Sequence, residues 1–174
     1  MGNPACGAAV IERALDSVEQ GMVDNVAKHG CSIMSVFDPD GIEPDFSYSI
    51  GFPETTGQSE VIVFSLPKAL RASMINEIYR QLSEKEASLC DGVELADLIE
   101  GFTCVAREIS DRRAIEEHLG FALWYNERYR GQSIEKAFQI VWPGAQQGLF
   151  PWEEGCVQSV IDDQPALYDI GMKQ

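Results

Sequence analysis

Residues 31–52 read Cys-Ser-Ile-Met-Ser-Val-Phe-Asp-Pro-Asp-Gly-Ile-Glu-Pro-Asp-Phe-Ser-Tyr-Ser-Ile-Gly-Phe. Polar and apolar side chains alternate in the first and last seven of these residues, as they do in half-buried β-strands. Among the residues between them, Asp38-Pro39-Asp40-Gly41 form a turn, because Pro fixes one backbone dihedral and Asp and Gly tolerate the others. The segment therefore predicts an antiparallel hairpin with a long loop.

The segments on either side extend this hairpin into a mixed fold. Apolar residues recur at helical spacing before it, which predicts a helix over about residues 8–28, closed by Gly30. The continuous apolar run Val61–Phe64 predicts a strand buried on both faces. Residues 102–109 and 137–142 predict two more strands.

Less regular segments complete the chain. Pro67 suits the start of a long helix, and residues 111–119 predict a short helix that Gly120 stops. Residues 91–101 are ambiguous, and the last 30 residues are loop-like. About five strands with flanking helices favour an α+β fold with a mainly antiparallel sheet, in a single domain over residues 1–174.

The charge is strongly negative and unevenly distributed. The chain has 28 acidic and 13 basic residues, for a net charge of -15. Residues 29–67 hold six acidic residues and residues 137–172 hold five, and neither stretch contains Lys or Arg. Nucleic acids and anionic membranes are therefore excluded as expected partners, because both attract Lys and Arg.

The cysteines and the acidic loop argue against metals and other cofactors. The five Cys include no Cys-x-x-Cys pair, and an odd number without a signal peptide is typical of a reducing cytoplasm. The acids Asp38, Asp40, Glu43 and Asp45 lack the spacing of a calcium loop. We expect a cytoplasmic protein with no cofactor and no stoichiometric metal.

Motifs for catalysis are lacking, so no catalytic residue is predicted. The sequence contains no nucleophile elbow and no phosphate-binding loop. His29 ends the first predicted helix, where its charge would meet the negative end of the helix dipole. It also leads into a strand opposite Tyr48, so a pocket role stays open.

Two pairs of Trp and Pro lie ten residues apart near the C-terminus. They are Trp142-Pro143 and Pro151-Trp152. Large rings fixed by Pro either cap the core or form the wall of a groove, and both interpretations stay open. For Trp142 we predict burial.

Four segments together resemble a known family. They are His29-Gly30-Cys31, Phe46–Phe52, Ser59–Phe64, and Gln139–Pro143 with Phe150-Pro151-Trp152. Their order and spacing resemble the bacterial domain of unknown function 4262, which typically shows His-Gly-Trp, Phe-x-Tyr-Thr-x-Gly-Leu, Pro-Glu before an apolar strand, and Gln-x-Val-Trp-Pro-Asp with Phe-Pro-Trp. The resemblance covers about residues 22–165. It implies a bacterial cytosolic protein with a single domain and no established activity.

The sequence departs from the family pattern at five positions. Cys31 replaces Trp, Ser49 replaces Thr, Phe52 replaces Leu, Ser59 replaces Pro and Gly144 replaces Asp. Any chemistry that the family performs with these positions is in doubt in this chain.

Two functions of different classes remain open. The first is a non-catalytic binding protein, such as an acidic inhibitor or immunity-type protein for a basic partner. Its contacts would be Asp38, Asp40, Glu43, Asp45, Glu153 and Glu154, provided that the two acidic loops share one end of the domain. The second is a small-molecule receptor or enzyme with a pocket around His29, Tyr48, Trp142 and Trp152, with Ser47 or Ser49 nearby. Whether the protein is an enzyme, and its oligomeric state, stay open.

Overall fold

The hairpin predicted from the alternating segments forms one edge of the sheet. In the computed structural model, which describes residues 13–170, β1 (Ser32–Val36) pairs antiparallel with β2 (Phe46–Ile50). Val36 lies opposite Phe46, so residues 37–45 form the loop between the two strands. We call residues 37–45 the hairpin loop.

A single six-stranded sheet organises the described chain. The other four strands are β3 (Val61–Phe64), β4 (Glu94–Ile99), β5 (Phe102–Ile109) and β6 (Ala137–Val141). Their spatial order is β1-β2-β3-β6-β5-β4, in which β3 and β6 run parallel and every other neighbouring pair runs antiparallel. The predicted α+β class with a mainly antiparallel sheet is confirmed, with six strands rather than five.

Helices cover both faces of this sheet. They are α1 (Ser17–His29), α2 (Phe52–Thr56), α3 (Lys68–Ser83), α4 (Arg112–His118), α5 (Gly120–Leu123), a π-helix (Trp124–Tyr129) and α6 (Gln158–Asp163). The apolar side of α3 packs on one face, with Met74, Ile75 and Ile78 fully buried. On the other face α1, α4, α5 and the π-helix pack around Tyr48 and Ile62.

Some local predictions differ from the structure. The first helix begins at Ser17, because Asp16 and Glu19 form a capping box there; the predicted residues 8–12 lie outside the described part. The ambiguous segment contains β4, whose register shifts between Leu95 and Ile99 and so breaks the strand's alternation. The tail predicted to be loop-like includes α6. Gly120, which was predicted to stop the short helix, begins α5, whereas α4 ends at His118.

Candidate functional site

The directions in which the strands run place the two acidic loops at one end of the sheet. Phe46 at the start of β2 lies opposite Phe64 at the end of β3. Because β6 runs parallel to β3, it also ends there, at Val141. The hairpin loop and residues 142–157, the C-terminal loop, thus leave the sheet from the same end. We call this end, with these two loops, the acidic end.

The strands that lead into the two loops are not neighbours, since β2 and β3 lie between β1 and β6. The shared end follows from the pairing of β3 with β6. The β4–β5 turn also lies at the acidic end. Val105, in the middle of β5, is opposite Val141, the last residue of β6, so the start of β5 extends past the end of β6. The turn carries the exposed Glu100, an acidic residue outside the two acidic stretches of the sequence.

Asp38 organises the hairpin loop. Its carboxylate accepts hydrogen bonds from the backbone N–H groups of Asp40, Ile42 and Glu43 at 2.8–3.0 Å. These bonds hold the pKa of Asp38 below its ordinary value. Asp38 therefore acts mainly within the loop, whereas Asp40, Glu43 and Asp45 are exposed to solvent.

The C-terminal loop is part of a longer segment, residues 142–164, whose two ends are joined by hydrogen bonds. We call this segment the C-terminal excursion. The Trp142 N–H donates to Oε1 of Gln164 at 2.9 Å, and Nε2 of Gln164 donates to the Trp142 carbonyl at 2.8 Å. Glu153 and Glu154 lie on this excursion and are exposed, and Glu153 accepts the Phe150 N–H at 2.8 Å. The acidic candidates on both loops thus face solvent apart from Asp38.

Ser65 links the hairpin loop to the end of α6. Its N–H donates to the Asp45 carbonyl at 2.7 Å, and its hydroxyl donates to the Asp163 carbonyl at 2.7 Å. Ser65 and Leu66 both have positive φ angles, of 54° and 64°. The buried Arg71 donates to both of their carbonyls, which fixes this strained turn.

The four predicted ligand contacts do not lie together. His29 is exposed at the end of α1. Tyr48 is buried in the core between the sheet and α5, where its hydroxyl accepts the Phe121 N–H at 3.0 Å. Trp142 is buried in the core on the α3 side and donates its Nε1–H to the Phe64 carbonyl at 2.9 Å. Tyr48 and Trp142 thus lie on opposite faces of the sheet.

Trp152 lies on the surface of the C-terminal segment. Its ring stacks on Phe150 with centroids 5.0 Å apart, and the guanidinium of Arg107 lies 4.9 Å from its centroid. The ring centroid of Tyr168 lies 4.5 Å from the same guanidinium. This cation–π contact attaches the C-terminal segment to β5. A surface depression of about 510 Å³ lies elsewhere, at Thr55, Lys85 and Ser88 among others.

A fully buried carboxylate, Glu60, lies at the opposite end of the sheet from the acidic loops. Its two oxygens accept four hydrogen bonds of 2.8–3.0 Å, from the Ser49 hydroxyl, the N–H groups of Gly51 and Phe52, and Nδ2 of Asn126. All four donors are neutral. Burial outweighs these bonds and raises the pKa of Glu60 to about 7.

The π-helix connects Glu60 to the surface. Asn126 accepts a hydrogen bond from Arg130 at 3.2 Å, and Arg130 lies 3.5 Å from Glu54. The Tyr125 hydroxyl donates to the same carboxylate of Glu54. Segments with π-helical geometry are frequent at functional sites. Here the contacts of the π-helix cover Glu60 and connect α2 to the π-helix.

Comparison with known families gives a match over most of the chain. The model of a domain of unknown function, DUF4262, matches residues 25–157. The chain belongs to this family. The match includes the hairpin loop, Glu60 and the π-helix, and it confirms the resemblance drawn from the sequence motifs. No curated protein and no solved structure matches the chain.

Further features concern thiols, metals and membranes. Cys31 and Cys104 are free and buried, and burial raises their thiol pKa values to about 11 and 12. Within residues 13–170, no group of three or more His, Cys, Asp or Glu side chains is arranged to hold a metal. In that same range, no helix has the length and apolar character needed to cross a membrane.

Proposed function

We propose that the protein is a non-catalytic binding protein that uses its acidic end to bind a basic protein partner. The observation that carries the proposal is the departure of both acidic loops from one end of the sheet. Their sequence stretches contain no Lys or Arg, so their fields add at that end. A basic partner is attracted to such an end before contact forms.

The attraction acts mainly on the rate of association. Exposed charges steer a partner of opposite sign during diffusion, and salt weakens the steering because the Debye length is only about 8 Å at physiological ionic strength. Asp40, Glu43 and Asp45 are exposed and suit this role.

Hydrogen bonds order the backbone of the two loops, which supports their role as a binding surface. Asp38 fixes the backbone of the hairpin loop, and Ser65 connects that loop to the C-terminal excursion. A surface that is ordered before binding loses less conformational entropy when its partner arrives. The backbone that carries these carboxylates is therefore ordered without a partner.

Within this proposal the protein is an inhibitor or immunity-type protein of the bacterial cytoplasm. The buried free thiols Cys31 and Cys104 suit a reducing compartment. A basic enzyme, such as a nuclease, has the charge that such a partner needs. This proposal assigns no catalytic residue to the chain.

Two matched charge reversals test the proposal. The probe is an oligolysine peptide, and the measurement is its association rate at low and at physiological salt. Glu43→Lys changes the acidic end, whereas Glu135→Lys makes the same change just before β6, at the opposite end. We expect Glu43→Lys to slow association at low salt severalfold more than Glu135→Lys.

A third variant tests the same steering by adding negative charge to the acidic end. Lys68 is the exposed base that begins α3 directly after the Ser65–Pro67 turn, so it lies at the acidic end. Lys68→Glu is expected to accelerate association at low salt. Equal rates for Glu43→Lys and Glu135→Lys, with no gain for Lys68→Glu, would show that the negative charge serves solubility alone.

A further inference from the structure

The hairpin loop exposes two large apolar side chains between its acidic residues. Phe37 is 71% exposed and Ile42 is 79% exposed. Single exposed apolar residues are common on protein surfaces. Both lie on one short loop, with Asp40 and Glu43 beside them in sequence, and exposed apolar groups with a charged border are typical of an interaction site.

The loop presents these side chains on an ordered backbone. The Ile42 N–H donates to the Asp38 carboxylate at 2.9 Å, and the Gly41 N–H donates to the Asp38 carbonyl at 3.0 Å. The Asp38 N–H in turn donates to Asp45 at 3.3 Å across the base of the loop. Phe37 and Ile42 are therefore exposed on an ordered loop.

The charge around the pair determines which partner can cover it. A second copy of this chain would bring another acidic end against the first, and like charges across an interface repel. An anionic membrane surface is repelled for the same reason. A partner that buries Phe37 and Ile42 must therefore place positive charge next to its own apolar groups.

We infer that Phe37 and Ile42 are the apolar anchors of the acidic end, and that the partner presents apolar side chains bordered by Lys or Arg, the chemistry that a basic amphipathic helix supplies. Such a helix has apolar side chains along one face and Lys or Arg on its borders. The inference rests on the proposed function and adds the chemistry of the partner's contact surface. The acids accelerate association, whereas the buried apolar pair slows dissociation.

Three peptides separate these two contributions. The first two have the same composition of Lys and Leu. In one the Leu residues lie on a single helical face, and in the other they are distributed around the helix; the third peptide is oligolysine. We expect the wild-type protein to bind the amphipathic peptide about tenfold more tightly than its rearranged counterpart.

Variants then assign the preference to the apolar pair. In Phe37→Ser/Ile42→Ser, the preference for the amphipathic peptide should be lost while the association rate with oligolysine is unchanged. Ile170→Ser is the control, because Ile170 is an isoleucine with 66% exposure at the end of the described chain. Unchanged melting temperatures would show that all of these variants remain folded.

The outcomes distinguish the inference from the function on which it rests. Equal affinities of the wild-type protein for the two Lys/Leu peptides would overturn the inference and leave the charge-based function standing. Equal effects of Glu43→Lys and Glu135→Lys on oligolysine would overturn the proposed function itself. Sedimentation that shows a wild-type dimer and a monomeric Phe37→Ser/Ile42→Ser variant would assign the pair to self-association and also overturn the inference.

Discussion

At the scale of single residues, Glu60 is the most unusual group in the described chain. Its carboxylate is fully buried, and its four hydrogen-bond donors are neutral. Ionised carboxylates are costly to bury without a cation, so the folded state binds the Glu60 proton more tightly than the unfolded state does.

The pH dependence of stability follows from this difference. Below about pH 4.5, Glu60 is protonated in both states, and its preference for the folded state is fully present. As the pH rises towards about 7, the unfolded chain ionises first, so the contribution of Glu60 to stability falls. Above that pH both states are ionised, and the contribution stays constant.

Glu60→Gln isolates this contribution, because Gln does not titrate. The measurement is the free energy of unfolding in urea, taken for the wild type and the variant across this range. The wild-type value minus the variant value is expected to fall by about 3 kcal/mol between pH 4.5 and 7.5. A difference that stays level or rises would contradict a raised pKa.

Trp142 carries a second prediction at this scale. The ring is buried and its N–H is bonded to the Phe64 carbonyl, so Trp142→Ala should reduce the free energy of unfolding by about 3–5 kcal/mol. Trp152→Ala is the matched control, with a ring that is 37% exposed and a smaller expected loss. Equal losses in urea unfolding would show that burial does not distinguish the two rings.

The sequence indicated some of these residues and not others. The burial of Trp142, predicted from its fixed position before Pro143, is confirmed. Glu60 was part of a family motif, but its burial was not predicted. Two of its donors, Ser49 and Asn126, are distant in sequence, and nothing local marks an acidic residue before a strand as buried.

At the scale of elements, Gly51 determines how the end of β2 meets α1. Its φ is 104°, and a Cβ there would lie 2.8 Å from a methyl group of Val26. Its N–H also donates to Glu60. The junction therefore requires glycine both for its backbone conformation and for the close approach of α1.

Two alanine substitutions separate backbone strain from close packing. Gly41 in the hairpin loop has φ 67° and open space around its Cβ position, so Gly41→Ala should cost about 1–2 kcal/mol from strain alone. Gly51→Ala should cost at least about 1 kcal/mol more, because the new methyl group meets Val26. Similar midpoints of urea unfolding for the two variants would contradict this packing.

Periodicity predicted most elements because their burial is regular. The strands from the alternating and continuous apolar segments were found, and β5 has the predicted bounds, Phe102–Ile109. β4 was not identified, because Asp97 has a positive φ and the pairing shifts within the strand. The π-helix has no comparable signal, since a period calculated for an α-helix does not describe it.

At the scale of the whole molecule, the acidic end depends on the order of the strands. The two acidic stretches were visible in the sequence, but their common end requires the parallel pairing of β3 with β6 across more than seventy residues. Phe37 was predicted to lie in the first strand, which ends at Val36, and Ile42 was not selected because an apolar residue in a loop carries no periodic signal. The candidate ligand contacts were selected by residue type and order alone, and the sheet separates Tyr48 from Trp142.

Titration of the isotope-labelled protein with the oligolysine peptide, followed by backbone amide chemical shifts, tests the central claim most directly. The shifts are expected to concentrate at the acidic end, on residues 38–45 and 152–155, and to diminish as salt is added. Amides near Glu135, at the opposite end, should change little. Shifts of equal size at both ends, or shifts that gather around Glu135, would contradict the claim that this protein binds basic partners through its acidic end.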